Sequence, residues 1–483
     1  MWRTGWVIRI AALAAVALHV VAGYLPEEAV WSVCFYTSLG RPLGWLGALL
    51  VASLALSPVN DALGRWTRRL WAVLPAKAQR LRWFAIVALA MGVPFWLFRI
   101  RHLGWGDASF LVRCLSYTGV DRPICTIYNW QSPLTLLSHA KLWLLLNPSP
   151  GVGVDTVYAI TSILSGVGFV YVLFLLADLL GRDLLEKATI FGLVATTGSM
   201  QLFFGYVENY TIMSLGLIVT LYLGVRCLRG GIGLTWPSLA LAITNAFHPS
   251  TIVLWPAMAY LGWQVVGRGV VVNGNPLGGA LRLREWAKLA LPPILVFVGL
   301  AVLMTAGGHG PGAMLVDDRP GGANGIPFVP LFRTTTRWQR YTMFSLAHVV
   351  DWANEHFLIS PFGLPLLLVA LVTEAWRRLI GRPQGDDKSS PRLQGMNAYE
   401  GIVALLTIAS LVYLLLTFVW NPDYGGRRDW DLFAPSAFVY TPLAAYLLVR
   451  QTRDRRELAA VARLLIATSG LHTVAWVHFN TIP

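Results

Sequence analysis

The chain alternates between long apolar runs and short polar breaks from one end to the other. Thirteen runs lie near 6–23, 32–57, 83–99, 156–179, 188–204, 210–227, 234–247, 250–266, 287–305, 361–376, 400–419, 434–449 and 457–477. Crossing about 30 Å of hydrocarbon takes about 20 such residues in a helix. Only a helix or a closed barrel bonds every backbone N–H and C=O away from water. The pattern predicts an all-α, polytopic transmembrane helical bundle of about thirteen spans. The runs 234–247 and 250–266 are separated by "NAFHPS", which reads as a hairpin tip or as a break in a distorted helix.

The longer polar segments are 99–154, 306–360 and 421–433. In the first, "SPLTLLSHAKLWLLLN" opens with Ser132 and Pro133, an N-cap and first-turn pair. A helix of about 14 residues rises about 21 Å, too little to cross, so this one is expected in the membrane interface. In the second, Met343, Leu346, Val350, Ala353 and Phe357 recur at steps of three and four. They predict an amphipathic helix whose other face, with His348, Asp351 and Glu355, meets solvent. "GGHGPGAMLVDDRPGGANG" is a Gly-rich loop, and no internal repeat is visible.

Composition agrees with a membrane protein. Of 483 residues 56% are hydrophobic and 13% charged, against about a quarter charged in soluble proteins. The net charge of +14 does not point to nucleic acid, because the basic residues sit in short loops between spans. The break "DALGRWTRRLWAVLPAKAQRLRW" carries six of them and belongs in the cytoplasm. Alternation from there places the N-terminus in the cytoplasm, the C-terminus outside it, and the three longer loops on the outer face. Residues 1–24 read as a first membrane anchor, with some likeness to a signal peptide. An Arg- and Ala-rich chain with 21 Trp, many near span ends, fits a bacterial inner membrane. Of the four cysteines, Cys34 and Cys227 fall in or beside spans. Cys114 and Cys125 share an outer loop, where a disulfide is open to them.

Ionisable groups near membrane depth are costly and mark candidate sites. Four motifs reach the outer face: Asp107 in "GWGDASF", Glu208 in "FFGYVENY", His248 in "NAFHPS", and Arg427, Arg428, Asp429 and Asp431 in "NPDYGGRRDWDLFAP". Arg99 and Arg101 precede Asp107.

With an acidic residue shortly after a span, a large first outer loop and interfacial helices in it, the chain resembles the GT-C glycosyltransferases over residues 83–483. Protein O-mannosyltransferases, aminoarabinose transferases and oligosaccharyltransferase catalytic subunits belong to that superfamily. Residues 1–82 would then be an N-terminal transmembrane pair and basic loop added to the core. The resemblance implies transfer of a sugar from a polyprenyl-phosphate carrier to an extracytoplasmic glycan, lipid or protein. Asp107 would be the general base, with inversion at the sugar. Arg427 and Arg428, or Arg101 with Arg99, would grip the lipid phosphate, and Glu208 and His248 would orient hydroxyls or arginines. No cofactor is required. Asp429 and Asp431 admit a divalent cation, but the adjacent arginines can neutralise both. A transporter or lipid-linked-sugar flippase is the rival class, although such folds carry repeats and midplane sites. An envelope glycan polymerase or ligase is the rival among enzymes.

Overall fold

The computed structural model describes residues 2–71, 79–116, 127–149, 151–268, 271–272, 275–276, 279–315, 327–379 and 392–482. Its helices are α1 (Trp2–Val21), α2 (Glu27–Cys34), α3 (Gly40–Ser53), α4 (Ser57–Trp71), α5 (Arg80–Leu97) and α6 (Ala108–Ser116). There follow α7 (Pro133–Leu146), α8 (Val154–Leu180), α9 (Leu184–Ala195), α10 (Tyr210–Leu228), α11 (Thr235–Phe247), α12 (Trp255–Arg268) and α13 (Gly279–Ala306). The last are α14 (Leu346–Ile359), α15 (Gly363–Leu379), α16 (Arg392–Val419), α17 (Trp430–Gln451) and α18 (Arg455–Thr481). The described strands are the two-residue pair Val271–Val272 and Asn275–Pro276. The protein is an all-α, multi-pass membrane protein.

Among the described residues eight helices are long and apolar enough to cross a membrane, or up to ten if each sharply bent pair is one span. The expected spans 188–204, 234–247 and 250–266 are not single long helices. The first is the 12-residue α9 followed by the six-residue 3-10 turn Gly198–Phe203. The second is the 13-residue α11, and the third joins the 3-10 turn Pro249–Leu254 to the 14-residue α12. An apolar run shows which residues avoid water. It does not show where Thr, Gly or Pro tightens the backbone from α to 3-10 geometry.

The core is built around α17, 94% of whose apolar window is buried. It packs on α9, α10, α14, α15 and α16, so its first turn, carrying Asp431, is enclosed rather than presented to lipid. The N-terminal segment is sewn into this bundle. His19 of α1 meets His472 of α18 at 2.7 Å, and Asn60 of α4 accepts from Arg463 Nε at 2.7 Å. Helix α2 lies on α14, with Ser32 Oγ donating to Asn354 Oδ1 at 2.7 Å and Trp31 Nε1 to Asp351 Oδ1 at 2.9 Å.

Contacts between loops sort into two ends. At one end Arg80 and Lys187 pair with Asp178, while Arg182, Arg450 and Arg455 converge on Glu186. At the other Asp107 meets Glu208, Gly106 meets Arg428, and Phe328 bridges Trp420. Segments that alternation assigns to one face thus contact one another.

Helix α7 occupies the expected 14 residues. Ser132 precedes it, but its side chain makes no capping bond and is buried. Helix α14 also forms where the periodicity placed it, with its faces reversed. Leu346 and Val349 are exposed, 78% and 46%, while His348 and Glu355 are buried, 2% and 1%. The expected solvated face with Asp351 points into the protein, and the apolar side points outward, as it would beside lipid. A disulfide between Cys114 and Cys125 falls partly outside the described residues, since Cys125 is not among them.

Candidate active site

After α5 the chain leaves the bundle as an extended segment pinned at three points. Ile100 N donates to Phe204 O at 2.8 Å. Buried Trp105 donates from Nε1 to Asn480 Oδ1 at 2.6 Å. Gly106 N donates to Arg428 O at 2.9 Å, which ties the segment to the loop that opens α17.

Gly106 has φ +48°, and a Cβ there would lie 2.8 Å from Glu208 Oε1 and 3.0 Å from Asp431 Oδ2. Glycine is needed on both counts: an L side chain is disfavoured at that φ, and the space belongs to two carboxylates. Asp107 follows. Its N–H donates to Glu208 Oε1 at 2.6 Å, and its carbonyl accepts from Leu111 N at 2.8 Å, starting α6. The side chain does not serve as a cap. Oδ1 instead accepts from the Tyr424 hydroxyl at 3.1 Å, at an open surface position. Glu208, buried at 3% exposure, also accepts at Oε2 from Asn209 N at 2.9 Å.

The loop before α17 completes the corner. Tyr424 N donates to Asp429 Oδ2 at 2.7 Å, and the Arg428 guanidinium lies 5.5 Å from the Tyr424 ring centre. Asp429 and Asp431 are buried, at 8% and 2% exposure. Glu208 and Asp431 thus crowd Gly106 beside Asp107, and Asp429 lies close enough to feel the Asp107 charge. A fold optimised for stability alone would not collect them, because buried like charges oppose ionisation.

The titration of these groups follows from that crowding. Protein packed against Asp107 raises its carboxyl above the ordinary range, and the Tyr424 hydroxyl opposes this. Burial pushes Glu208 well up, with Asp431 and Asp107 adding to it. Asp429 is pushed up to about 7 by burial, against the pull of the Tyr424 N–H. A base with a raised pKa abstracts a hydroxyl proton more effectively near neutrality, provided that it is ionised. A reaction that used Asp107 as its base would rise in rate with pH through the Asp107 pKa, with an acid limb above the usual Asp value. Tyr424→Phe removes a donor to the ionised form, which raises that pKa further. The acid limb of its kcat/KM profile should move to higher pH, and an unmoved limb would show that another group titrates.

The remaining sequence candidates divide. Arg427 pairs with Glu27 at 2.6 Å, and Arg428 stacks on Tyr424. Arg427, Arg428, Glu27, Trp31, Asp351 and Arg340 are among the residues that line a cleft of about 520 Å³ beside the carboxylates. Arg101 is exposed and does not line that cleft. Arg99 lies over the Trp96 ring, 4.2 Å from its centre. His248 has local partners: its Nδ1 meets Ser250 Oγ at 2.8 Å and its ring lies 5.0 Å from Tyr210. Burial lowers its pKa to about 4, so it is neutral near pH 7.

Asp429 is turned to Tyr424 N and Asp431 towards Gly106. Among the described residues no group of three or more His, Cys, Asp or Glu is placed to hold a metal ion. Asp351 on α14 is engaged by Trp31, Tyr341 and the Gly426 N–H.

Sequence reasoning missed Tyr424, Arg340, Trp105, Trp31 and Glu27. Tyr424 lies inside a motif already singled out, and Glu27–Glu28 is an acidic pair in a chain poor in acids, so both carried a signal. Arg340 had none, because only folding lays its guanidinium against Gly425, where a Cβ would lie 2.9 Å from Cζ.

No protein-family model and no curated protein matches the chain. Among solved structures it is similar to an Archaeoglobus fulgidus oligosaccharyltransferase tethered to an acceptor peptide, at 14% identity and a TM-score of 0.47. That alignment covers 84% of this chain and 55% of that one, so the chain spans a little over half of its length. ArnT from Cupriavidus metallidurans, bound to undecaprenyl phosphate, is similar at 12% identity and a TM-score of 0.45, over 84% of this chain and 78% of that one. At such values these are likenesses of helix arrangement alone.

Proposed function

We propose that this protein is an integral-membrane glycosyltransferase that moves a sugar from a polyprenyl-phosphate carrier to a hydroxyl-bearing acceptor outside the cytoplasm. The acceptor is a glycan, lipid or protein of a bacterial envelope. One observation carries the reading: Asp107, whose backbone N–H is held by Glu208, offers an open carboxylate of raised pKa beside a cleft lined by arginines. Sugar transfer from a phosphate needs those two things, a base for the acceptor hydroxyl and positive charge for the departing phosphate.

In this reading Asp107 takes the acceptor proton as the acceptor oxygen attacks the anomeric carbon, and the bond to the carrier phosphate breaks on the opposite side. The configuration at the sugar inverts. Tyr424 orients the carboxylate, and Arg428 and Arg340 face the anionic leaving group. With the basic loops in the cytoplasm, the reaction takes place at the outer face.

The test compares envelope glycans of a strain lacking this protein with the same strain complemented by wild type. The expected result is one missing sugar, restored on complementation, with the corresponding lipid-linked sugar accumulating in the outer leaflet of the deletion strain. Accumulation confined to the inner leaflet would instead support a flippase.

A further inference from the structure

The cleft beside Asp107 is not formed by residues 83–483 alone. Its outer wall is α2, which contributes Glu27, Glu28 and Trp31 opposite Arg340, Arg427 and Arg428. The two ends of α2 are held differently. Trp31 and Ser32 are buried and bonded to Asp351 and Asn354 of α14, and Asn354 Nδ2 donates back to Ala29 O at 2.9 Å. Glu27 lies at the open mouth, where its carboxylate pairs with Arg427 Nη1 at 2.6 Å, the two side chains being 54% and 44% exposed. The helix is anchored, and its leading carboxylate lies exposed.

We infer that Glu27 is a built-in anionic occupant of Arg427, which an anionic substrate group must displace to reach the guanidinium, and that Glu27 thereby sets the affinity of the cleft for the lipid phosphate. This rests on the reading of the site as one for a lipid phosphate. A half-exposed ion pair is worth at most about 1 kcal/mol, so it does not seal the cleft. The carrier phosphate released on transfer is a monoester and carries more charge than a carboxylate, while its oxygens bond a guanidinium bidentately as the carboxylate does. It therefore displaces Glu27, while a weaker anion competes less well. Glu27 also neutralises Arg427 when the cleft is empty, which lowers the attraction for stray anions. The N-terminal segment thus acts in substrate selection as well as in anchoring.

The purified full-length protein in nanodiscs is titrated with undecaprenyl phosphate and, separately, with uncharged undecaprenol. Glu27→Gln should bind undecaprenyl phosphate up to about fivefold more tightly than wild type at low salt. The gain should shrink as salt rises, and undecaprenol binding should not change. Arg427→Gln should bind the phosphate more weakly than wild type, and adding Glu27→Gln to it should bring no gain. The thermal transition of Glu27→Gln should match wild type, because the bonds anchoring α2 do not include Glu27.

If wild type and Glu27→Gln bind the phosphate equally, the role of Glu27 is overturned and the donor reading stands. A gain that persists without Arg427, or that extends to undecaprenol, also overturns it, since the effect would then be one of shape. If neither protein binds undecaprenyl phosphate, the donor reading fails and takes this inference with it.

Discussion

Asp107→Asn should slow sugar transfer by about 10²- to 10⁴-fold while leaving the protein folded and at normal abundance in the membrane. The substitution keeps the size and shape of the side chain, and an amide oxygen can still accept from Tyr424. The backbone anchors nearest the carboxylate also remain, the Gly106 N–H to Arg428 O and the Asp107 N–H to Glu208 Oε1. What disappears is the capacity to take a proton. General-base catalysis contributes about 10²- to 10⁴-fold, so kcat should fall by that factor with little change in the KM for the lipid donor. The measurement is turnover of purified wild type and variant at several pH values, together with glycan restoration in the deletion strain. A variant that restores the missing sugar at matched abundance would show that Asp107 is structural and that the base lies elsewhere.

Gly106→Ala should cost nearly as much activity, for a different reason. The new Cβ would lie 2.8 Å from Glu208 Oε1 and 3.0 Å from Asp431 Oδ2 at φ +48°. An alanine in the left-handed region costs about 1 kcal/mol, and Glu208 cannot retreat without giving up the Asp107 and Asn209 N–H groups. The loop must therefore move outward, carrying Asp107 with it. A displacement of about 1 Å at a reacting group is worth about 10²-fold in rate. The expected outcome is a drop of that order in kcat, with a thermal transition lowered by only a few degrees. A variant with wild-type kcat would mean that the position of Asp107 is not set by this contact.

Why these two neighbours matter was half visible in the primary structure. "GWGDASF" announced an isolated carboxylate flanked by small residues at the end of a span, and "GGRRDWD" announced charges on the same face. That Glu208 would turn its carboxylate to the Asp107 backbone was not visible, because a motif names residue types and not the direction of a side chain. Arg427 shows the same limit. Its place on the outer face was legible, but its partner Glu27 lies 400 positions away in the chain.

Helix α14 marks the boundary most clearly. Its spacing correctly separated Leu346, Val350 and Ala353 from His348, Asp351 and Glu355. A period of 3.6 says which residues share a face, and it is silent about which medium that face meets. In water the polar side would turn outward. Beside lipid and a polar cleft it turns inward, where Asp351 receives bonds from Trp31, Tyr341 and Gly426.

The sequence by itself determined that the chain is an all-helical membrane protein, roughly where its helices lie, and which motifs reach the same end of the bundle. These follow from local terms, the free energy of moving apolar residues out of water and the need to bond every backbone group within its own segment. Tertiary structure alone decided the rest: the 3-10 breaks after α9 and before α12, the inward polar face of α14, and the assembly of Asp107, Tyr424, Glu208 and Arg428 into one corner. It also brought Glu27 to Arg427. Those outcomes depend on contacts between segments hundreds of residues apart, whose distances no local pattern encodes.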